Sequence, residues 1–363
     1  MAIYSLNLGF ISRSAGRSAV GFSAYISGGK SQDERTGVSY NYDCKNDVIV
    51  SRILAPEGAP EWVKNSSVLW NKVEQFEDEI ASLRFRGDLH DSEKNQKSLE
   101  SKEHFLNSAQ TVMGAIPIEF TQLEAEACVE EFLKERFVSP VLVVECAIHW
   151  DEGNPHFHGL ITRRPLVEDP LLEGGFSQRK DRDIVTKAEL FVTRKQWEVV
   201  ANKHLTLGGH EVRVDSRSYA DQGVDFLPTH HEGWYAQRLA ENGQYSRIVA
   251  DNDGVRQKNI EILCKDPAAL VHEVSLKLTI FTRKHLEEEV LRRVGGDDKL
   301  FALLKAKVDG LEIPEELILK TANDNRDMLL EGASELRKLA LKFTYSLLTN
   351  EKIIHRVGEN IAD

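Results

Sequence analysis

Residues Cys146–Thr162 read CAIHWDEGNPHFHGLIT. The two ends are apolar and strand-like, and Asp151, Glu152, Gly153, Asn154 and Pro155 between them are turn formers, so the segment predicts two strands folded back on each other. Side chains alternate faces along a strand, which puts His156 and His158 on one side with Phe157 and Gly159 opposite, and the turn carries His149 back alongside them. A His-x-His pair alone is more often ordinary strand surface; a third histidine across a turn sets this segment apart. Three neutral imidazoles converging on one point suit Zn, Mn, Ni or Fe and leave coordination positions open for water or a phosphate.

Outward from that hairpin, the chain continues the same pattern of short strands and amphipathic helices. Ala2–Phe10 alternates as a strand, with Ile3, Ser5, Asn7 and Gly9 on one face. Ser14 or Ser18 can cap a helix of small residues that Gly28 and Gly29 stop, with Tyr25 on a face it shares with Ser18 and Gly21. A helix tyrosine by itself is most simply a half-buried packing residue with its hydroxyl in water. Tyr40–Ile53 reads as a hairpin, Glu61–Glu79 as a helix and Ala109–Ile118 as a strand. Thr121–Phe137 is a helix with a Thr121/Glu124 capping box. Pro140–Trp150 and His156–Thr162 are strands, Gln196–Gly208 a helix and Val212–Val214 a short strand. The order predicts an α+β fold, an antiparallel sheet flanked by helices.

Two stretches differ in character. From Arg84 to Glu103 the sequence is polar and charge-mixed, with little to bury, and reads as an insertion. Beyond about Gln244 helical periods dominate, in Lys258–Leu263, Pro267–Leu278, Thr282–Val294, Lys299–Val308 and Ala333–Leu348, giving a predicted helical module at 244–363 after a domain at 1–243. Gly29, Lys30 and Ser31 spell the end of a phosphate-binding loop, but its first glycine is replaced by Ala24, which argues against nucleotide hydrolysis.

The 363-residue chain has 41% hydrophobic residues and a net charge of −12, so contact with nucleic acid requires a local basic patch. Met1–Gln32 holds Arg13, Arg17 and Lys30 and no acid, whereas Glu287–Glu316 is rich in Asp and Glu, so the N-terminal end is the better face for a polyanion. Four scattered cysteines imply a reducing cytosol. The N-terminus lacks a secretory pattern and no long apolar run predicts membrane insertion.

Four blocks in order resemble the plasmid mobilisation relaxases of the MobA/MobL type, within the HUH endonucleases. They are AIYSLNLGFISRSAGRSAVGFSAYISGGKSQDERTG (2–37), APEWVKNSSVLWNKVE (59–74), EGNPHFHGLITRRPL (152–166) and RVDSRSYADQG (213–223), so the resemblance covers residues 1 to about 230. It implies the HUH relaxase fold, a catalytic tyrosine at Tyr25 and a divalent metal, Mg or Mn, held by His149, His156 and His158. The implied reaction is attack by Tyr25 on one strand of DNA at a transfer origin, giving a 5′-phosphotyrosyl intermediate and a free 3′ hydroxyl, later rejoined. The implied partners are single-stranded DNA, accessory mobilisation proteins and a type IV coupling protein, with the protein in the bacterial cytoplasm and carried with DNA into a recipient. Arg13, Arg17, Arg163 and Arg164 are candidates for phosphate contacts; solvated surface charge is the plain alternative for each.

The chain departs from the family where relaxases of this type carry acids, on the strand before a turn of A-L-P type. Here AQTVMGAIP supplies Thr111 and Met113, neither of which can act as a general base. Glu145, on the same strand face as His149, is the first candidate to substitute, either as acid/base or as a partner to the imidazole nitrogens. Leu278–Leu291 (LTIFTRKHLEEEVL) resembles the segment that opens the helicase part of larger transfer proteins. Two other readings stand beside the relaxase: a catalytically weakened DNA-binding or scaffold protein on the same fold, and a rolling-circle replication initiator.

Overall fold

The hairpin around Gly153 forms as two antiparallel strands, Val144–Asp151 and Asn154–Thr162, in a register that pairs His149 with His156 and Ala147 with His158. Gly153 sits at φ 78°, the left-handed conformation that a tight hairpin turn requires and glycine adopts without strain. The computed structural model describes residues 4–85, 107–138, 141–151, 153–167, 175–181, 186–230, 232–279 and 281–311. Apart from Arg84 and Phe85, the predicted 84–103 insertion lies outside the described residues, as does Ala333–Leu348.

The chain forms two compact units, one ending at His210 and the other beginning at Glu211. The boundary read from the sequence, at 243, falls inside the second. In chain order the first unit has β1 (Leu6–Ser12), α1 (Ala19–Ser27), β2 (Lys30–Gln32), β3 (Ser39–Asn41), β4 (Val48–Leu54), α2 (Ser66–Phe85), β5 (Asn107–Ala115), α3 (Gln122–Leu133), β6 (Val144–Asp151), β7 (Asn154–Thr162) and α4 (Lys187–Leu207). Five strands make one antiparallel sheet in the order β1-β5-β7-β6-β4, with the histidine hairpin β6-β7 inside it. The chain is therefore α+β, an antiparallel sheet flanked by helices.

Both faces of the sheet are covered. On one, Phe157 of β7 packs edge-on against Phe132 of α3 and tilted against Trp197 of α4, with ring centroids 5.9 and 4.9 Å apart. Gly114 on β5 leaves the space that the Phe157 ring fills, and a Cβ on Gly159 would meet Val112 Cγ1 at 2.7 Å. On the other face Ala147 and Leu160 join a core with Ala19, Val20 and Ile26 of α1 and Leu69, Trp70, Val73 and Phe76 of α2. The histidines project to this second face, because residues 145, 147 and 149 on β6 register with 160, 158 and 156 on β7.

Several elements differ from the sequence expectation. Tyr40–Ile53 is not a hairpin with itself: β3 pairs with β2, and β4 pairs with β6 as a sheet edge. The helix expected at Glu61–Glu79 begins as a 3-10 turn, Glu61–Lys64, before α2. β6 starts at Val144 rather than Pro140, after Val141 at φ 74°. α4 begins at Lys187, earlier than expected, where the Thr186 side chain caps it by accepting from the Glu189 N–H; exposed Phe191, Val192 and Val199 blur its amphipathic period in the sequence. Val212 makes only an isolated bridge to Leu278.

The second unit is helical where described, with α5 (Tyr219–Gln222), α6 (Gly233–Glu241), α7 (Arg247–Lys265), α8 (Ala268–Lys277), α9 (Arg283–Val294) and α10 (Asp298–Asp309). Leu263, Leu270, Val274, Leu286, Val290 and Leu304 are buried in it. Buried Glu273 accepts from Lys277 at 2.6 Å and Tyr219 at 3.1 Å and pairs with Arg293, so its charge is not left unpaired in the core. Among the described residues no helix is long and apolar enough to cross a membrane.

Candidate functional site

Helix α1 is set over the histidine face by its two ends. At the N-terminus the Ser18 side chain accepts from the Gly21 N–H, and the buried Glu74 carboxylate of α2 accepts from the Ala19 N–H at 2.9 Å and Ser108 at 2.8 Å. A carboxylate at a helix N-terminus satisfies an otherwise orphaned donor and complements the helix dipole. At the C-terminus Gly28 adopts the left-handed cap, and the Ile26 carbonyl, one of the helix's orphan acceptors, takes a hydrogen bond from His149 Nε2 at 2.7 Å. Midway, a Cβ on Gly21 would strike the Tyr40 ring at 2.6 Å, so glycine there lets the β2-β3 hairpin lie on the helix. These ties leave Tyr25 38% exposed above the strands.

The three histidines converge. Their ring centroids lie 4.6 Å apart for His149–His158 and 5.1 Å for the other two pairs, and one nitrogen from each lies within 4.8 Å of the others. His156 Nδ1 donates to the Asn154 carbonyl at 2.9 Å, which leaves Nε2 with its lone pair. The Ile26 carbonyl can only accept, so the hydrogen-bond network assigns the His149 proton to Nε2 and the lone pair to Nδ1. His158 is buried, and its Nε2 has no hydrogen-bond partner. Burial, helped by His149, His156 and Lys45, pushes the His158 pKa down to about 3, and burial lowers that of His149. Two neutral imidazoles, one with an orphaned buried nitrogen beside a third ring, fit a divalent ion that takes nitrogen donors.

Tyr25 stands over this cluster with its ring centroid 6.3 Å from His149 and 6.1 Å from His158. Burial raises its pKa, and Asp47 and Asp151 raise it further. The loop before β4 supplies two residues that the sequence reading missed. Lys45 Nζ lies 4.1 Å above the Tyr25 ring and 3.4 Å from His149 Nδ1, and Asp47 Oδ2 lies 3.3 Å from the same nitrogen. No motif marks them; the pairing of Val48 with His149 across β4 and β6 brings them in, and that pairing is legible only once β4 is known to join the sheet.

The remaining candidates fall elsewhere. Glu145 shares the face of His149, as alternation requires, but sits roughly 13 Å down the strand. It is 1% exposed, with its oxygens accepting from Ser66 at 2.7 Å and Trp70 Nε1 at 2.5 Å. Burial raises its pKa, and the carboxyl serves to join α2 to β6, not to serve the imidazoles. Removing it strands the buried Trp70 indole N–H, at about 1–3 kcal/mol, whereas half-buried Ser66 keeps Ser23 as a partner at 2.6 Å. Glu145→Ala is accordingly expected to lower the free energy of unfolding by about 1–3 kcal/mol in a urea titration, with the metal affinity of the folded protein unchanged.

Three of the four arginines are occupied or buried. Arg13 Nε pairs with Glu74 at 2.6 Å, and Arg164 grips both oxygens of Glu77 at 2.7 and 3.0 Å. Arg163 is buried with its guanidinium 5.0 Å from the Phe10 ring centroid. These correct the expectation of phosphate contacts for Arg13, Arg163 and Arg164, since a guanidinium held in the interior is not offered to DNA. Arg17 is exposed, immediately before the Ser18 cap. Met113, 40% exposed, lies opposite His158 in the register of β5 and β7 and so borders the cluster, whereas Thr111 lies opposite Leu160, a residue of the core.

The family model for the MobA/MobL family matches residues 17–86 and 90–242. The chain is similar to the conjugal transfer protein TraA of Agrobacterium fabrum, at 28% identity over 85% of this chain and 28% of that protein. It is also similar to the probable mobilization protein MobA of Bifidobacterium longum, at 28% identity over 71% of this chain and 48% of the relative. The chain thus spans well under half the length of the TraA relative. A solved structure described as "Molecular Basis of Vancomycin Resistance Transfer in Staphylococcus aureus" is similar at 28% identity and a TM-score of 0.49, over 60% of this chain and 100% of that one.

Proposed function

Since the chain belongs to the MobA/MobL family, we propose that it is a DNA relaxase that nicks one strand at a transfer origin through Tyr25 and later rejoins it. The observation that carries this reading is the convergence of His149, His156 and His158 directly beneath a half-exposed tyrosine. In this reading the phenol oxygen of Tyr25 attacks the scissile phosphorus. The new bond joins phosphorus to the tyrosine oxygen, and the bond to the 3′ oxygen breaks, leaving a 5′-phosphotyrosyl link and a 3′ hydroxyl. Because one phosphodiester replaces another, rejoining runs the same exchange backwards without an external energy source.

His149, His156 and His158 would hold a divalent ion, Mg or Mn, and nitrogen donors favour Mn over Mg. When bound, that ion would draw charge from the phosphate oxygens in the transition state. The chain's own residues do the rest. The Ile26–His149 bond fixes α1 to β6 and thereby the height of Tyr25 over the cluster. Asp47 Oδ2 lies 3.3 Å from His149 Nδ1, and in this reading that carboxylate takes the proton of the phenol, since Thr111 and Met113 offer no base. The same reading places the protein with single-stranded DNA, accessory mobilisation proteins and a coupling protein in a bacterial cytoplasm.

The test is a supercoiled plasmid carrying the protein's cognate transfer region, incubated with the full chain and Mn and then denatured. Open circles that vanish with EDTA support the relaxase. Supercoils that stay intact despite single-strand binding point to a DNA-binding scaffold on the same fold.

A further inference from the structure

The loop from Tyr42 to Asp47 is pinned at both ends, by the Lys45 N–H to the Tyr42 carbonyl at 3.0 Å and by the Trp150 N–H to the Asp47 carbonyl at 2.7 Å. It lays Tyr42 edge-on against Tyr25, with centroids 5.5 Å apart, and brings the Lys45 ammonium over the same ring. The ammonium is 3.4 Å from His149 Nδ1 and 3.7 Å from Asp47 Oδ2. One ammonium donor thus faces the His149 Nδ1 lone pair, the ion pair with Asp47 is long, and among the described residues the ammonium has no other acceptor.

A lysine in this position does nothing for a cation held by the imidazoles, since like charges repel at this range. Its charge is useful if an anion enters between it and the cluster. Of the four cations that the sequence put forward for that task, Arg13 and Arg164 are held by Glu74 and Glu77, Arg163 is buried and Arg17 is exposed beside the Ser18 cap. Lysine binds phosphate as a point charge and reaches it without the fixed fork of an arginine.

We infer that Lys45 is a phosphate-binding and positioning residue: its ammonium contacts a non-bridging oxygen of the phosphodiester beside Tyr25 while its contact with the phenol ring holds that ring over the strands. The inference rests on the relaxase reading for the identity of the phosphodiester, and its test separates the two.

Full-length wild type, Lys45→Gln and Lys45→Arg are titrated with a labelled single-stranded oligonucleotide of mixed sequence across a salt series. Their Mn affinity is measured by calorimetry, and adduct formation is followed in parallel. Loss of one phosphate contact on a single strand reduces the slope of log K against log salt by about 0.7. The expected result is that reduction in Lys45→Gln, its restoration in Lys45→Arg, and Mn affinity in Lys45→Gln equal to wild type or tighter. An unchanged slope overturns the inference, as does a loss of Mn affinity in Lys45→Gln, which would make the lysine a prop for His149. If wild type forms no adduct yet the slope falls in Lys45→Gln, the relaxase reading fails and the phosphate contact stands. If the adduct forms and the slope is unmoved, the reverse holds.

Discussion

Tyr25→Phe is expected to abolish the covalent protein–DNA adduct, by roughly 10⁴-fold or more, as removal of a nucleophile does elsewhere. The substitution takes away one oxygen from a side chain 38% exposed, and among the described residues that oxygen has no hydrogen-bond partner. The ring contacts with Phe22, Tyr42, His149 and His158 are made by carbon atoms that phenylalanine keeps. Stability is therefore expected to stay within about 0.5 kcal/mol of wild type, and single-strand binding to stay close to it. Denaturing gel electrophoresis reads the adduct, fluorescence anisotropy the binding, and urea unfolding the stability. A variant that still cross-links would move the nucleophile to another residue, with Tyr42, 5.5 Å away, the first to examine.

His158→Val is the second large effect, and its sign on stability is the informative part. A buried imidazole nitrogen without a partner costs about 1–3 kcal/mol, which an apolar, β-branched residue on a central strand does not incur. The metal-free variant is expected to unfold at the same urea concentration as wild type or a higher one. Its metal affinity should nevertheless fall by more than the ~100-fold that loss of an outer partner of a ligand costs, and nicking with it by on the order of 10³-fold, since an ion stabilises transition-state charge by several kcal/mol. A histidine retained for packing alone would give the opposite pair: lower stability and unchanged activity. Calorimetric titration with Mn, urea unfolding in EDTA and the nicking assay together separate the two cases.

How far the sequence could be read depended on how local each signal was. Alternation and turn chemistry within Cys146–Thr162 placed the histidine strands, and a cap at Ser14 or Ser18, of which the helix uses Ser18, with the Gly28 stop bounded α1, because each involves residues within a few positions. The sheet order was not legible, since β1-β5-β7-β6-β4 joins strands far apart in the chain. That gap hid Lys45 and Asp47, which reach the cluster only through the edge strand β4.

Three of the four arginines, Arg13, Arg163 and Arg164, failed for a related reason. Nothing near Arg13 or Arg164 in sequence announces that Glu74 and Glu77, one turn apart on α2, will bury them. Glu145 was put on the right face of the strand, yet its partners, Ser66 and Trp70, come from a helix whose packing no periodicity specifies. Side-chain chemistry can be listed from sequence; whether a charge faces DNA or a buried counter-charge is decided by tertiary contacts.

The most direct measurement is to trap the adduct on cognate single-stranded DNA with Mn, digest it to peptides and locate the nucleotide by mass spectrometry. A phosphonucleotide is expected on the peptide carrying Tyr25, absent from Tyr25→Phe and from His158→Val. A modified residue other than Tyr25, or a cleaved strand with no protein attached to its 5′ end, would contradict it.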